Sequence, residues 1–241
     1  MIAKRVRMGS NELTILEYLH RKQPRSQHII SLLDAIPSIN REWLILPRLH
    51  SICEQRIVDS GGVFGRIYLG RGLIKGLAYL HEHKIAHRDI KPDNLVCDSD
   101  FRLQIIDFDM AIEVQDENTE IDEYRGTKDW TAPEIGKGDE PTLMHSPIKA
   151  DRWSCGRVLL HHIMVGKGLG DNRLSNFAGR LMANDPQRPS LLEWHKVLAS
   201  PFSDVTSALE DGKKRVSRPQ GIVEVDGESM KQPDAKKPRL E

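Results

Sequence analysis

Apolar positions along the chain change period several times, and each change marks an element. Leu13, Leu16 and Leu19 (or His20) recur at helical spacing behind Ser10, so a helix starts there with Ser10 as its N-cap. Residues 28–33 and 42–46 are short runs rich in branched side chains, separated by Pro37-Ser38, and predict two strands. Phe64, Ile67, Leu73, Ile74, Leu77 and Leu80 keep helical spacing across a long stretch, which predicts a core helix whose start is marked by Gly61-Gly62. Leu95-Val96-Cys97 and residues 102–106 flank the polar turn Asp98-Ser99-Asp100 and predict a hairpin. An apolar helix is expected over 154–166, and two last helices over 177–181 and 191–198. From Ser203 onward there is no aromatic residue, few apolar ones and mixed charge, so 203–241 is expected to be disordered.

With 241 residues, 39% hydrophobic and 29% charged, the chain has enough apolar material for a sizeable core in one or two domains. Its formal net charge is zero, so no global field argues for a nucleic acid or an anionic membrane as partner. Cys53, Cys97 and Cys155 are odd in number and widely spaced, which predicts free thiols in a reducing compartment. No apolar run reaches about 18 residues, and no basic-then-apolar leader opens the sequence. The expectation is an intracellular protein, cytoplasmic or nuclear.

The candidate chemistry lies in His87-Arg88-Asp89-Ile90-Lys91-Pro92-Asp93-Asn94. Asp89 and Asn94 are five residues apart with Lys91 between them, and Pro92 forbids a regular helix, so the stretch reads as a rigid loop presenting three polar side chains together. Asp107 follows the apolar pair Ile105-Ile106, thirteen residues past Asn94. A carboxylate to orient a hydroxyl, a lysine to offset phosphoryl charge, and an amide plus a second carboxylate for magnesium together suit phosphoryl transfer. The run Gly61-Gly62-Val63-Phe64-Gly65 invites a phosphate-loop reading, but it precedes the long helix and is read as that helix's beginning. His161-His162 are read as packing residues, since no further ligands stand at fitting spacing.

These residues resemble the eukaryotic protein kinases. H-R-D-x-K-P-x-N, the D-F-x of Asp107-Phe108-Asp109, Gly126-Thr127, Ala132-Pro133-Glu134, the D-x-W-S-x-G of 151–156 and Arg188-Pro189 occur in that family's order. The resemblance implies an α+β, bilobal protein-kinase-like fold over residues 1–202. Residues 1–49 would form an incomplete β-rich small lobe and hinge, 50–202 a mainly helical large lobe, and 203–241 the tail. It implies that Asp89 is the base or hydroxyl-positioning group, that Lys91 steadies the γ-phosphate, and that Thr127 contacts both. Asn94 and Asp107 would bind Mg2+. Lys4, in Met1-Ile2-Ala3-Lys4-Arg5-Val6, would hold the α/β-phosphates of ATP with Glu12 as its partner. An ordinary surface lysine and a dipole-favoured acid at a helix start are the plainer alternatives for that pair. Leu46 would be the gatekeeper, the Pro47 carbonyl and Leu49 N–H would serve the adenine, and Val96 would lie beneath it. Glu134 would pair with Arg188 in a buried structural bridge, and Asp151 would anchor the catalytic-loop backbone.

Six acids fall in residues 113–123, read either as a solvated loop or as counter-charge to Arg88, with Thr119 and Tyr124 as candidate phosphosites. Two departures from the family stand out. Asp109 replaces a glycine, and Met1 falls inside the family's third strand, so its glycine-rich loop has no counterpart in residues 1–3. The expectation is therefore either a start internal to the true gene or a degenerate kinase. Lys91-Pro92 points to the serine/threonine branch, transferring the γ-phosphate of ATP to a protein hydroxyl. The alternative is a pseudokinase-like scaffold; a small-molecule phosphotransferase is disfavoured by A-P-E and D-x-W-S-x-G. Implied partners are ATP and a protein substrate, with no nucleic acid and no membrane. Lys213-Lys214-Arg215 with Arg218, and Lys236-Lys237-Pro238-Arg239, suggest a nuclear import receptor.

Overall fold

The computed structural model describes residues 1–136, 143–164, 172–184 and 187–194, without side-chain detail for 55–61 and 172. The basic clusters, the 203–241 tail and the end of the 191–198 helix lie outside the described residues. No helix among the described residues is long and apolar enough to cross a membrane.

The small lobe is one sheet and one helix. Strand β1 (Ile2–Arg7) leads into helix α1 (Asn11–Arg21), where Ser10 caps the first turn by accepting from the Leu13 N–H. Ile15, Leu16 and Leu19 form the buried stripe of α1, while Leu13 is half-buried beside it. Strands β2 (Asp34–Ser38) and β3 (Arg41–Leu46) complete an antiparallel sheet in the order β1-β3-β2, with Lys4 opposite Leu44.

The strand expected over 28–33 is not formed. His28, Ile29 and Ile30 are buried, and the segment makes one parallel bridge, Ile29 to Ile105, through Ile30 N–H to Ile105 O (3.1 Å) and Ile105 N–H to His28 O (2.9 Å). Its apolar run is explained by burial in the large lobe and not by a sheet face. The strand that does form, β2, contains Pro37, the residue expected to separate the two strands. Proline is tolerated there because β2 is an edge strand, whose outer side needs no N–H donor. The turn falls instead at Asn40, with φ 56°.

Strand β4 (His50–Ser51) crosses to the large lobe, whose centre is helix α2 (Gln55–Glu82). The backbone of α2 departs from helical angles at Gly62 (φ 50°, ψ −148°), so the glycines interrupt the helix after its start instead of beginning it. Leu73, Ile74, Leu77 and Leu80 are fully buried along its core face. A Cβ at Gly76 would meet the His28 carbonyl at 2.9 Å, so this glycine is what lets the 28–30 segment lie against the helix. Strand β5 (Ile85–Ala86) pairs with β8 (Ile112–Glu113), on either side of the hairpin β6 (Leu95–Cys97) and β7 (Leu103–Ile105) in sequence.

Helix α3 (Pro147–Val158) begins seven residues before the expected helix and gives way to a single π turn, Leu159–Ile163. Ser146 caps it by accepting from Lys149 N–H, and Pro147 occupies the first turn, where no N–H is needed. The added turns carry the charged Asp151 and Arg152, and both are buried and paired. His161 is exposed, and His162 is half-buried with Nε2 3.4 Å from the Ile52 carbonyl. Helix α4 (Asn172–Leu181) extends the expected 177–181 segment backwards, and Phe177 packs on the buried Trp194 with ring centroids 5.2 Å apart. Cys97 and Cys155 are buried free thiols, and burial pushes the Cys97 thiol up to about 11.

Candidate active site

The loop between β5 and β6 is held from below by one carboxylate. Asp151 of α3, itself buried, accepts the main-chain N–H of His87 (2.6 Å) and of Arg88 (2.8 Å). Those bonds keep Arg88 in the left-handed region (φ 68°), a conformation non-glycine residues hold only where surroundings over-determine it. His81 adds a third contact to Asp151, Nε2 to Oδ2 at 3.3 Å. His87 lies inside with its Nε2 3.0 Å from the Ile106 carbonyl and its ring edge-on to Phe108. Burial pushes the His87 pKa down, so it is a neutral packing group that donates to that carbonyl.

Above this base, four predicted residues meet. Asp89 Oδ1 accepts from Thr127 Oγ1 (2.7 Å), and Oδ2 lies 2.8 Å from Lys91 Nζ. Lys91 also donates to Thr127 Oγ1 (2.6 Å). The Asn94 amide donates to the Asp89 carbonyl and to Oδ2, each at 2.9 Å. Burial alone would raise the Asp89 pKa, but donors from Lys91, Thr127 and Asn94 outweigh it and hold the carboxyl below its usual value. The result is a fixed, ionised acceptor beside a fixed ammonium. Gly126, at φ 122°, permits the approach of Thr127: a Cβ there would lie 2.4 Å from Thr131 Cγ2 and 3.0 Å from the Arg88 carbonyl.

A second cluster sits on the small-lobe side. Lys4 Nζ lies 2.7 Å from Glu12 Oε2, 2.7 Å from Asp107 Oδ1 and 3.5 Å from Asp109 Oδ2. Glu12 is buried, and its other oxygen accepts from Phe108 N–H at 3.3 Å, so its place is not that of a merely dipole-favoured surface acid. Burial opposes charge on Lys4, but hydrogen bonds to Asp107 and Glu12 outweigh it and raise the ammonium above the ordinary lysine range. Oxygens of Glu12, Asp107 and Asp109 lie within 4.8 Å of one another around Lys4, a concentration of negative charge in which the partly exposed Asp107 carboxylate is a hard oxygen donor of the kind that suits magnesium. Asp107 is partly exposed and Asn94 uses its nitrogen on Asp89, which leaves its Oδ1 for another partner. Main chain joins the two clusters, through Ile106 N–H to the Asn94 carbonyl at 3.0 Å.

Of the adenine-side residues, Leu46 is buried, Pro47 and Leu49 are half-buried at the crossing from β3 to β4, and Val96 is half-buried opposite Ser51 and Gln104. The acidic stretch is not uniformly solvated. Glu123 lies 2.7 Å from Arg88 and 2.6 Å from Arg125, and Glu117 ion-pairs with Arg152. The Arg188 guanidinium grips Glu134 through both nitrogens, one at 2.8 Å, and also donates to the carbonyls of Ala183 and Lys149. Three contacts had no sequence signal strong enough to find: Asp109 to Lys4, the Asn11 amide to the Ala111 carbonyl, and Glu117 to Arg152. Each joins residues tens of positions apart.

Comparison with known proteins agrees with this geometry. Residues 2–207 match the model of the protein kinase domain. The chain is similar to the serine/threonine-protein kinase GRIK1 of Arabidopsis thaliana, 37% identical over 175 residues, covering 68% of this chain and 42% of that one. It is also similar to the serine/threonine-protein kinase chk1 of Schizosaccharomyces pombe, 30% identical over 149 residues (60% of this chain, 29% of that one). Mouse mitogen-activated protein kinase 13 is 30% identical over 165 residues, covering 66% and 41%. The chain thus spans less than half the length of these relatives. With the family's domain matched over most of its length, the chain belongs to the eukaryotic serine/threonine protein kinase family.

Proposed function

We propose that this chain transfers the γ-phosphate of ATP to a serine or threonine hydroxyl of a protein, with magnesium. The observation that carries the reading is the Asp89–Thr127–Lys91–Asn94 cluster, in which an ionised carboxylate and an ammonium are fixed side by side. Asp89 orients the incoming hydroxyl and takes its proton, and Lys91 offsets charge on the migrating group. Lys4, steadied by Glu12, holds the α/β-phosphates, and Leu46, Pro47, Leu49 and Val96 border the base. Asp107 and Asn94 Oδ1 would hold magnesium, which would supply charge neutralisation at the phosphate oxygens. The Arg88–Glu123 pair keeps the segment after β8 against the catalytic loop.

The basic clusters at 213–218 and 236–239 support nuclear import as part of this reading, with cytoplasmic residence otherwise. The test is transfer of isotopically labelled γ-phosphate by the purified chain to a protein mixture, with Asp89→Asn as control. Label on serine and threonine that vanishes in the control is the expected result. A wild-type chain that binds nucleotide but never labels protein would favour the scaffold alternative instead.

A further inference from the structure

Asp109 stands at a position where the resemblance led to a glycine, and the backbone does not require one. The non-glycine residues with positive φ among those described are Asn40, Lys84, Arg88, Phe101, Asp107 and Asp129, so Asp109 takes an ordinary conformation. Its side chain is about half exposed (54%) and its Oδ2 lies 3.5 Å from Lys4 Nζ. Lys4 therefore faces three carboxylates, from Glu12, Asp107 and Asp109, against its single positive charge. Glu12 is taken up by Lys4 and the Phe108 N–H inside the lobe, whereas Asp109 is the more solvent-exposed carboxylate of the three.

We infer that Asp109 is a positioning residue that makes nucleotide binding strictly dependent on a divalent cation, an inference that rests on the kinase reading above. A phosphate chain approaching Lys4 without metal meets a surplus of negative charge, and Asp109 also competes for the ammonium that the phosphates need. A cation neutralises that surplus and frees Lys4. Asp109→Asn removes the charge at constant shape, and Asp109→Gly restores the glycine of the resembled family. An ordinary backbone conformation accepts either residue.

The experiment is equilibrium binding of ADP, by calorimetry, to the full chain and both variants, once in EDTA and once in saturating MgCl2 at low salt. The wild type should bind ADP much more weakly in EDTA, and both variants should narrow the EDTA-to-magnesium ratio of Kd on the order of tenfold, as expected for one unit charge a few ångströms away in a partly solvated site. The narrowing should come from tighter binding in EDTA and should shrink as salt is raised, because exposed charges are screened. An unchanged ratio in both variants overturns the role of Asp109 while leaving the kinase reading intact. Loss of magnesium-dependent binding without any gain in EDTA also overturns it, since Asp109 would then be a metal ligand. Absence of ADP binding by the wild type under both conditions overturns this inference together with the nucleotide reading on which it rests.

Discussion

The Arg88 guanidinium, only 7% exposed, lies 2.7 Å from the carboxylate of Glu123, thirty-five residues later in the chain. The buried cation beside Asp89, the proposed base, is thus compensated by an acid already encoded in the sequence. The hydrogen bond from Arg88 holds the Glu123 carboxyl below its usual range, with Arg125 adding to it.

If that acid serves where a phosphate would otherwise be needed, phosphatase treatment leaves transfer activity intact. Glu123→Gln should lower it about tenfold by loosening the segment that carries Thr127, an effect typical of losing one partner of a charge-assisted hydrogen bond. Activity assays before and after phosphatase check this. Loss of activity on phosphatase treatment would transfer the role to a phosphosite such as Thr119 or Tyr124.

Asp89→Asn should reduce transfer by roughly 10²–10⁴-fold, the usual range for a general base, while ADP affinity stays nearly constant. Asp107→Asn should instead weaken magnesium-dependent ADP binding, because a charged oxygen donor is lost. Calorimetry beside initial-rate assays separates the two; equal loss of affinity in both variants would refute the division of roles. Since Lys91, Thr127 and Asn94 hold the Asp89 pKa below its usual value, Asp89 is ionised throughout the neutral range. The rate should therefore show no limb from Asp89 above the usual carboxylate range.

Removing Glu134 strands Arg188, whose side chain is 2% exposed, and should cost roughly 3–5 kcal/mol of stability. Arg188→Met should cost less, because the carboxylate left behind is partly reached by water. In the double variant the losses should not add, since the two residues form one unit. Urea melts of the four proteins measure the coupling, and strictly additive losses would remove the pair from the account.

The same pair gives a pH dependence. Burial would raise the Glu134 pKa, but its bonds to Arg188 and to backbone outweigh this and lower it. The unfolded state therefore binds more protons in the acid range, so the stabilisation is complete above about pH 4.3 and is lost as pH falls through the folded value. Melting temperatures of wild type should drop more steeply below that point than those of Glu134→Gln. Parallel curves would show that the pair does not titrate with folding.

Asp151→Ala should leave the N–H groups of His87 and Arg88 buried without their acceptor. A loss of about 1–3 kcal/mol per stranded donor follows from desolvation, together with loss of transfer as the catalytic loop leaves its left-handed turn at Arg88. Hydrogen exchange at residues 87–89 reads this directly; protection equal to wild type would show that another group holds the loop.

The elements legible in the sequence are the local ones. Ser10 and the leucine stripe behind it specified α1, and Leu95-Val96-Cys97 with its polar turn specified the hairpin, because caps, periods and turns act within a few residues. The ordered motifs likewise identified Asp89, Lys91, Asn94, Asp107 and Thr127 as candidate chemistry. Tertiary structure decided whatever depended on burial by distant segments. Residues 28–30 read as a strand because of the apolar pair Ile29-Ile30, but that pair is apolar because it is buried, and Gly76 lets the His28 backbone lie against α2. The helix expected from Ser154 starts at Pro147 because the charged Asp151 and Arg152 are buried there, where the His87–Arg88 backbone and Glu117 offer partners. Asp109 stands where the resembled family has glycine, and only its distance from Lys4 places it among the carboxylates around that ammonium. A charge reveals its type in the sequence; its partner, and so its energy, is set by the fold.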